Sequence, residues 1–439
     1  MDPSVLDFLR CPRSGQRLQL EATRTAPDGG VQFGTLTAAG FTYPIAAGIP
    51  ILTTDTDAVS ALIDRDHLHE AVTLAALGTA NSRTLPFLDA AAELRGVGRP
   101  AAAAARWERA RQLGRNVERL FGSPPAAEPC ADPVELVLIG GRHPTIDGFH
   151  YFRYRFGTPR YLVALGLVDA LPAPQAPTLD VGCGAGHLAW ALTQRTAAPV
   201  LGADPSFGQL LTASRLAPRA TFVCADGRAL PFANGAFARV VSSDVLPYVA
   251  EKPTAVRELV RVLSTDGQLL LTALRNASQR HVFGGEPLMP RNWVELVELP
   301  HVRLFADDHV LDRYLQRLAP GDLGADGDVD VSQTVSIVAG HVDPPVRSGR
   351  WPVWPHARGP LATHPLLYPE GNTAAGVVHV RRFPSATYAE DNARIAEYLP
   401  ERCVVPAGPL PDGATVSEAD EAIGSLISSI ALLARPSDR

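Results

Sequence analysis

The residues best placed to do chemistry are three acids and three glycines at the ends of apolar runs. Leu179-Asp180-Val181-Gly182-Cys183-Gly184-Ala185-Gly186-His187 reads as a buried strand entering a glycine turn and then a helix. Gly182, Gly184 and Gly186 let the backbone approach a ligand closely, and the helix that follows points its free N–H groups at it. Asp204 ends the next apolar run, Val200-Leu201-Gly202-Ala203, and is followed by Pro205. There it suits two roles: accepting from the vicinal hydroxyls of a ribose, or capping a helix. Asp226-Gly227 ends a third run, Thr221–Ala225. This acid can accept from an adenine amino group or close an Asx turn. The glycine spacing is G-x-G-x-G with an acid inside the strand, not the G-x-G-x-x-G of a dinucleotide site. An acid there repels a pyrophosphate and suits an ammonium group. The set predicts a cradle for an adenosine-containing cofactor.

The elements that must position these residues alternate. Strands are predicted at 178–182, 200–204, 221–225, 239–243 and 268–273, and helices at 187–195, 206–215 and 254–263. In the last helix Val256, Leu259, Val260 and Leu263 form one buried stripe. This order predicts an α/β fold with a doubly wound, parallel sheet. Thr334–Ala339 is a late strand that closes it. Residues 276–330 look irregular and are Gly/Asp-rich near 321–330, the character of a lid or substrate loop. Ahead of the sheet, Gly148–Phe156 is dense in aromatics and arginine, and Tyr161–Leu171 reads as an apolar helix.

At 439 residues the chain has room for two or three domains, and 46% hydrophobic residues allow a sizeable core. The net charge of -6 argues against nucleic-acid binding in bulk. The start of the chain shows no charged, apolar leader, and no apolar run is long enough to span a membrane. The five cysteines are scattered and never spaced C-x-x-C, which predicts no disulfide framework, no cysteine metal site and a cytoplasmic setting. Residues 1–56 read as a small β-rich module and 57–147 as a helical connector, with Ala101–Leu120 rich in alanine and arginine. The domain carrying the glycine turn spans 148–342. Residues 343–439 form an α+β appendage, with a strand at Gly376–Val380 and helices at 389–398 and 418–433.

Leu179–His187, Gly202–Ser206, Ala225–Phe232, Phe237–Leu246 and Arg257–Leu263, in that order and spacing, resemble the class I S-adenosylmethionine-dependent methyltransferases. The likeness is to the type 11 branch, with its small-molecule enzymes, and covers about 175–275. It implies a Rossmann-like fold and S-adenosylmethionine as cofactor. By position, Asp180 and Gly182 meet the methionine amino group, and Gly184 and Gly186 pass beside the cofactor. Asp204, followed by Pro205, holds the ribose, Asp226 with Gly227 reads the adenine, and Ser242 and Ser243 line the floor near the sulfonium. Thr265-Asp266-Gly267 replaces the family's Pro-Gly-Gly turn.

Leu6–Pro12 with Tyr43–Leu52 resembles the Trm112-like (UPF0434) small domain, whose relatives bind zinc through two C-x-x-C pairs. Here only Cys11 stands, with Ser14 and Gly15 after it, which points to a packing or docking module without metal.

Methyl transfer from a sulfonium is an in-line displacement, and a general base is needed only when the acceptor must shed a proton early. Candidates are Asp244, Tyr248 and His150, with His281 a further one, and each reads equally as a structural or rim residue. Arg153 and Arg155 suit an acidic acceptor. The acceptor expected is a small biosynthetic metabolite. An rRNA or tRNA methyltransferase and a non-catalytic, methyltransferase-like partner protein are the alternatives.

Overall fold

The computed structural model describes residues 1–53, 56–68, 71, 72, 75, 154–323, 328–341, 346–416 and 420–436. Strands β1 (Gln19–Thr25), β2 (Val31–Ala38), β3 (Phe41–Ala46) and β4 (Ile49–Pro50) come first, then helix α1 (Asp57–Asp64). Next are α2 (Pro159–Ala170), β5 (Thr178–Val181), α3 (His187–Thr193), β6 (Val200–Asp204), α4 (Phe207–Leu216) and β7 (Thr221–Cys224). They continue with β8 (Phe237–Ser243), α5 (Lys252–Val262), β9 (Leu263–Arg275), α6 (Pro290–Glu295), β10 (Arg303–Ala306), α7 (Asp307–Leu315) and β11 (Thr334–Gly340). The last part holds β12 (Leu361–Thr363), β13 (Leu367–Thr373), β14 (Gly376–Arg381), α8 (Ala386–Asp391), α9 (Ile395–Tyr398), β15 (Arg402–Val405), α10 (Glu421–Ser428) and β16 (Leu432–Ala434). The predicted helix Ala101–Leu120, most of the 57–147 connector, and Cys130, His150 and Arg153 lie outside the described residues.

The chain divides into two compact units. The first holds Met1–Phe149, Gly182–Gly186 and Val200–Ala236. Here β1 to β4 form an antiparallel meander, and β6 and β7 pair in parallel from Leu201 with Thr221 to Asp204 with Cys224. The N-terminal module docks on β7. Ile51 bridges Cys224 in parallel, and the Leu52 N–H donates to the Cys224 carbonyl at 2.8 Å. Leu9 bridges Phe232, and all four of Leu9, Ile51, Leu52 and Phe232 are buried. The Tyr43–Leu52 tail therefore satisfies backbone groups on the flank of β7 that does not pair with β6. Cys11 is buried with its Sγ 3.4 Å from the Tyr43 hydroxyl.

The second unit holds His150–Val181, His187–Pro199 and Phe237–Arg439. Its strands run in the order β10-β11-β9-β8-β5. β8 pairs in parallel with both β5 and β9, while β11 is antiparallel to β9 and β10. β5 is buried at every position, as its apolar run requires. Val256 and Leu259 are buried as predicted, but Leu263 already belongs to β9, which starts earlier than its apolar core. α2 meets α7 at Gly166, where a Cβ would sit 3.0 Å from the Tyr314 ring. Among the described residues no helix is long and apolar enough to cross a membrane.

Three expectations change. Residues 276–330 are not simply irregular. They contain α6, β10 and α7, and Trp293, Phe305, Val310 and Tyr314 are core side chains. These elements are short and their apolar residues sparse, so periodicity alone does not find them. In the appendage, 389–398 is two short helices, and Asn392 between them is buried with its amide on the Tyr388 carbonyl at 3.1 Å. The helix predicted over 418–433 stops at Ser428, because Ile430 turns left-handed at φ 56° and the chain leaves as β16.

The docking of the N-terminal module yields a test. Ile51→Ala removes a fully buried side chain at the bridge to β7, and an expected cost of about 2–5 kcal/mol should appear in urea unfolding. Because the module and β6–β7 share one unit, the loss should move a single cooperative transition and not detach a separate early one.

Candidate active site

In the first unit the site begins at the glycine turn. Gly182, Gly184 and Gly186 all lie in the left-handed region, at φ 74°, 52° and 83°. The Gly182 and Cys183 N–H groups both donate to the Ala203 carbonyl, at 2.7 and 3.2 Å, so the turn folds over the end of β6. A Cβ on Gly184 would lie 2.8 Å from Gln209 Oε1, and one on Gly186 would lie 2.8 Å from the Ala213 Cβ. Glycine is favoured at all three by conformation, and at Gly186 by space as well.

Asp204 locks this arrangement. Its Oδ2 accepts from the Gly184 N–H at 3.0 Å and its Oδ1 from the Ser206 N–H at 2.8 Å. The cap reading is thus partly realised as an Asx turn leading into α4, whose N-cap position is Ser206. A carboxylate offers about four acceptor sites, which leaves two for a ligand. Asp204 is 8% exposed, and burial pushes its carboxyl up to about 6 against the pull of the two N–H bonds. Pro205 is exposed beside it. Asp226 and Gly227 are half-buried. Asp226 accepts from the Arg228 N–H at 2.8 Å and pairs with the Arg228 guanidinium at 2.7 Å, so the Asx turn is present here too. Bonds from the Arg228 side chain hold its carboxyl below the usual range, against partial burial.

In the second unit, Asp180 is buried on β5 opposite Val241 of β8. Ser242 is buried, and its Oγ has no hydrogen-bond partner among the described residues. Ser243 Oγ accepts from Thr272 Oγ1 at 2.8 Å. Asp244 follows with a left-handed backbone, φ 60°, anchored by its N–H to the Thr272 carbonyl at 3.0 Å. Its Oδ2 accepts from Arg155 Nη1 at 3.0 Å. Burial pushes this carboxyl up, but Arg160, Arg155 and Arg275 together outweigh it and hold it below the usual range. Asp244 is therefore an ionised anchor for arginine and a weak proton acceptor, unlike the base considered from sequence. Tyr248 is 54% exposed, accepts a hydrogen bond from Arg275, and lies under its guanidinium at 4.7 Å. His281 turns to the backbone, with Nε2 2.8 Å from the Asn276 carbonyl.

Sequence reasoning did not find Arg160, Arg275 or Asp391. Arg160 makes two bonds to Asp391, at 2.7 and 2.8 Å, and Arg275 ties down Phe283 and Gly284 through their carbonyls, at 2.5 and 2.6 Å. Arg275 had one available signal, a charge closing the apolar run of β9. The Arg160–Asp391 pairing had none, since its partners are far apart in the chain.

Residues 179–271 match the methyltransferase domain family. The malonyl-[acyl-carrier protein] O-methyltransferase of Halorhodospira halophila is 34% identical over 145 residues, 31% of this chain and 46% of that protein. The 2-methyl-6-phytyl-1,4-hydroquinone methyltransferase of Synechocystis is 33% identical over 130 residues, 28% of this chain and 41% of that protein. The human mitochondrial arginine-hydroxylase NDUFAF5 is 28% identical over 195 residues, 43% of this chain and 53% of that protein. The chain thus spans about half the length of these curated relatives.

The turn itself is testable without any ligand. Gly186→Ala combines a left-handed backbone with a contact at 2.8 Å on Ala213, so it should cost at least about 2 kcal/mol in chemical unfolding. A neutral result would mean that the turn relaxes freely.

Proposed function

We propose that this chain is an S-adenosylmethionine-dependent methyltransferase that acts on a small-molecule acceptor, a biosynthetic metabolite, in the cytoplasm. The observation that carries this reading is the Gly184 N–H to Asp204 hydrogen bond, which ties a three-glycine turn to the acid ending the next strand. The residues fit the cofactor. The turn is left-handed at all three glycines, Asp204 keeps acceptor capacity for two ribose hydroxyls, and buried Ser242 Oγ is a polar atom still to be satisfied.

In this reading Asp180 and Gly182 take the methionine ammonium group, and Gly184 and Gly186 let the backbone pass close beside the cofactor. Pro205 fixes the backbone after Asp204, Asp226 and Gly227 take the adenine, and Ser242 and Ser243 form the floor. When bound, S-adenosylmethionine supplies an electrophilic methyl group on a sulfonium. The chain's own residues align the acceptor's nucleophile and keep water out. Asp244 orients Arg155, which suits an acidic acceptor, and Arg275 braces Tyr248. Where an acceptor must shed a proton, Tyr248 and His150 stay the candidate bases, beside Asp244 as the arginine anchor. Residues 1–56 act as a Trm112-like docking module that covers β7 and uses Cys11 for packing. Residues 57–147 are the connector, 148–342 the catalytic domain with its acceptor cover near 276–330, and 343–439 an appendage that braces it.

Calorimetry with S-adenosylhomocysteine tests the reading. Wild type should bind in the micromolar range, and Asp204→Asn should weaken binding about tenfold through loss of a charged acceptor. The carboxyl titrates at about 6 in the ligand-free protein, and ribose hydroxyls favour its ionised form. Affinity should therefore be flat above pH 7 and fall as pH drops through 6, about tenfold by pH 5. Absence of binding by the wild type would overturn the assignment.

A further inference from the structure

A second polar site lies at the opposite strand ends. β5 begins at Thr178 and reaches Asp180 toward its other end, while β8 carries Arg239 near its start and Ser242 near its finish. At the starting ends is a cavity of about 200 Å³ whose wall includes Asp169, Thr178, Arg195, Arg239 and Arg358. Three guanidinium groups face one carboxylate there, a surplus of two positive charges.

The bland reading is an internal salt bridge, and one pair fits it. Arg195 closes on Asp169 through Nε and Nη2, the latter at 2.8 Å, while Nη2 also donates to the Pro355 carbonyl and Nη1 to the Ala191 carbonyl. The other groups are left over. Arg239 is 2% exposed, and its Nε and Nη2 serve Gln268 Oε1 and the Pro172 carbonyl. Its Nη1 has no partner among the described residues. Arg358 has Asp169 as its ion-pair partner at 3.6 Å, too long for a hydrogen bond. The Thr178 hydroxyl is fully buried and has no hydrogen-bond partner among the described residues. Burial lowers Arg239 only to about 10, so it stays a cation at neutral pH. Buried donors and uncompensated cations are costly unless something satisfies them.

We propose that this cavity binds a small phosphate-type dianion, held by the Arg239 and Arg358 guanidinium groups and the Thr178 hydroxyl. Planar guanidinium forks match a tetrahedral oxyanion, and a dianion cancels the surplus charge. The site is separate from the residues assigned to methyl transfer, so it stands or falls independently of that function.

The test titrates the full chain with inorganic phosphate at constant ionic strength against chloride, reading thermal stability and calorimetric heat. Phosphate should raise the melting temperature saturably. Glycerol phosphate in a parallel arm distinguishes a phosphate ester, if it binds tighter, from the free ion, if it binds weaker. Arg358→Gln, at a partly exposed position that should still fold, is expected to weaken binding about tenfold. Thr178→Val keeps the side-chain shape and removes a hydroxyl with no hydrogen-bond partner among the described residues, so it should weaken binding severalfold with no loss of ligand-free stability. A wild type that responds to phosphate no more than to chloride would overturn the proposal. So would both variants binding phosphate like the wild type.

Discussion

The carboxylate of Asp204 is the constraint on which the glycine turn depends. It is buried, yet it accepts from the N–H groups of Gly184 and Ser206 and so holds the glycine turn and the start of α4 together. Burial alone would make a lone carboxylate unwelcome there. The two N–H donors offset that cost only in part, which is why its proton affinity stays raised. A group left in that state gains from further hydrogen-bond donors.

The second unit solves a different problem, keeping charge inside a core. Arg155 pairs with Asp244, and Arg160 pairs with Asp391, with all four side chains largely buried. Asp391 ends α8 in the appendage, and Tyr398 of α9 donates to the Gly157 carbonyl at 2.7 Å. His356 meets the Tyr314 hydroxyl at 2.8 Å and the Ile427 carbonyl at 2.9 Å. The appendage is thus fastened to α2 and α7, the helices that stand beside the arginines. Removing one member of such a pair leaves a buried charge without its counterion, so the appendage and the arginine cluster are bound together energetically.

Much of the framework was legible in the chain because it rests on local rules. β6 runs over 200–204 as predicted, β5, β7 and β11 begin where their apolar runs begin, and the three glycines form the predicted turn, which is left-handed at each of them. Where the chain misled, the cause was also local. Residues 276–330 read as loop because α6, β10 and α7 are short, and they exist only because Trp293, Phe305 and Tyr314 find a core to enter. The helix expected to run to 433 ended early at a left-handed Ile430, a conformation that no helix-propensity rule anticipates at isoleucine.

By itself, then, the sequence determined the order of strands and helices, the glycine turn and the acids at the strand ends. Each of these follows from apolar periodicity or from the conformational freedom of one residue type. Only the tertiary structure decided the charge states and partners. Asp244 became an ionised anchor through arginines at 155, 160 and 275, and Asp391 found Arg160 across most of the second unit. The leftover donors of Arg239 and Thr178 emerged beside one cavity. Electrostatics and burial depend on distances between residues remote in the chain, and those distances exist only once it has folded.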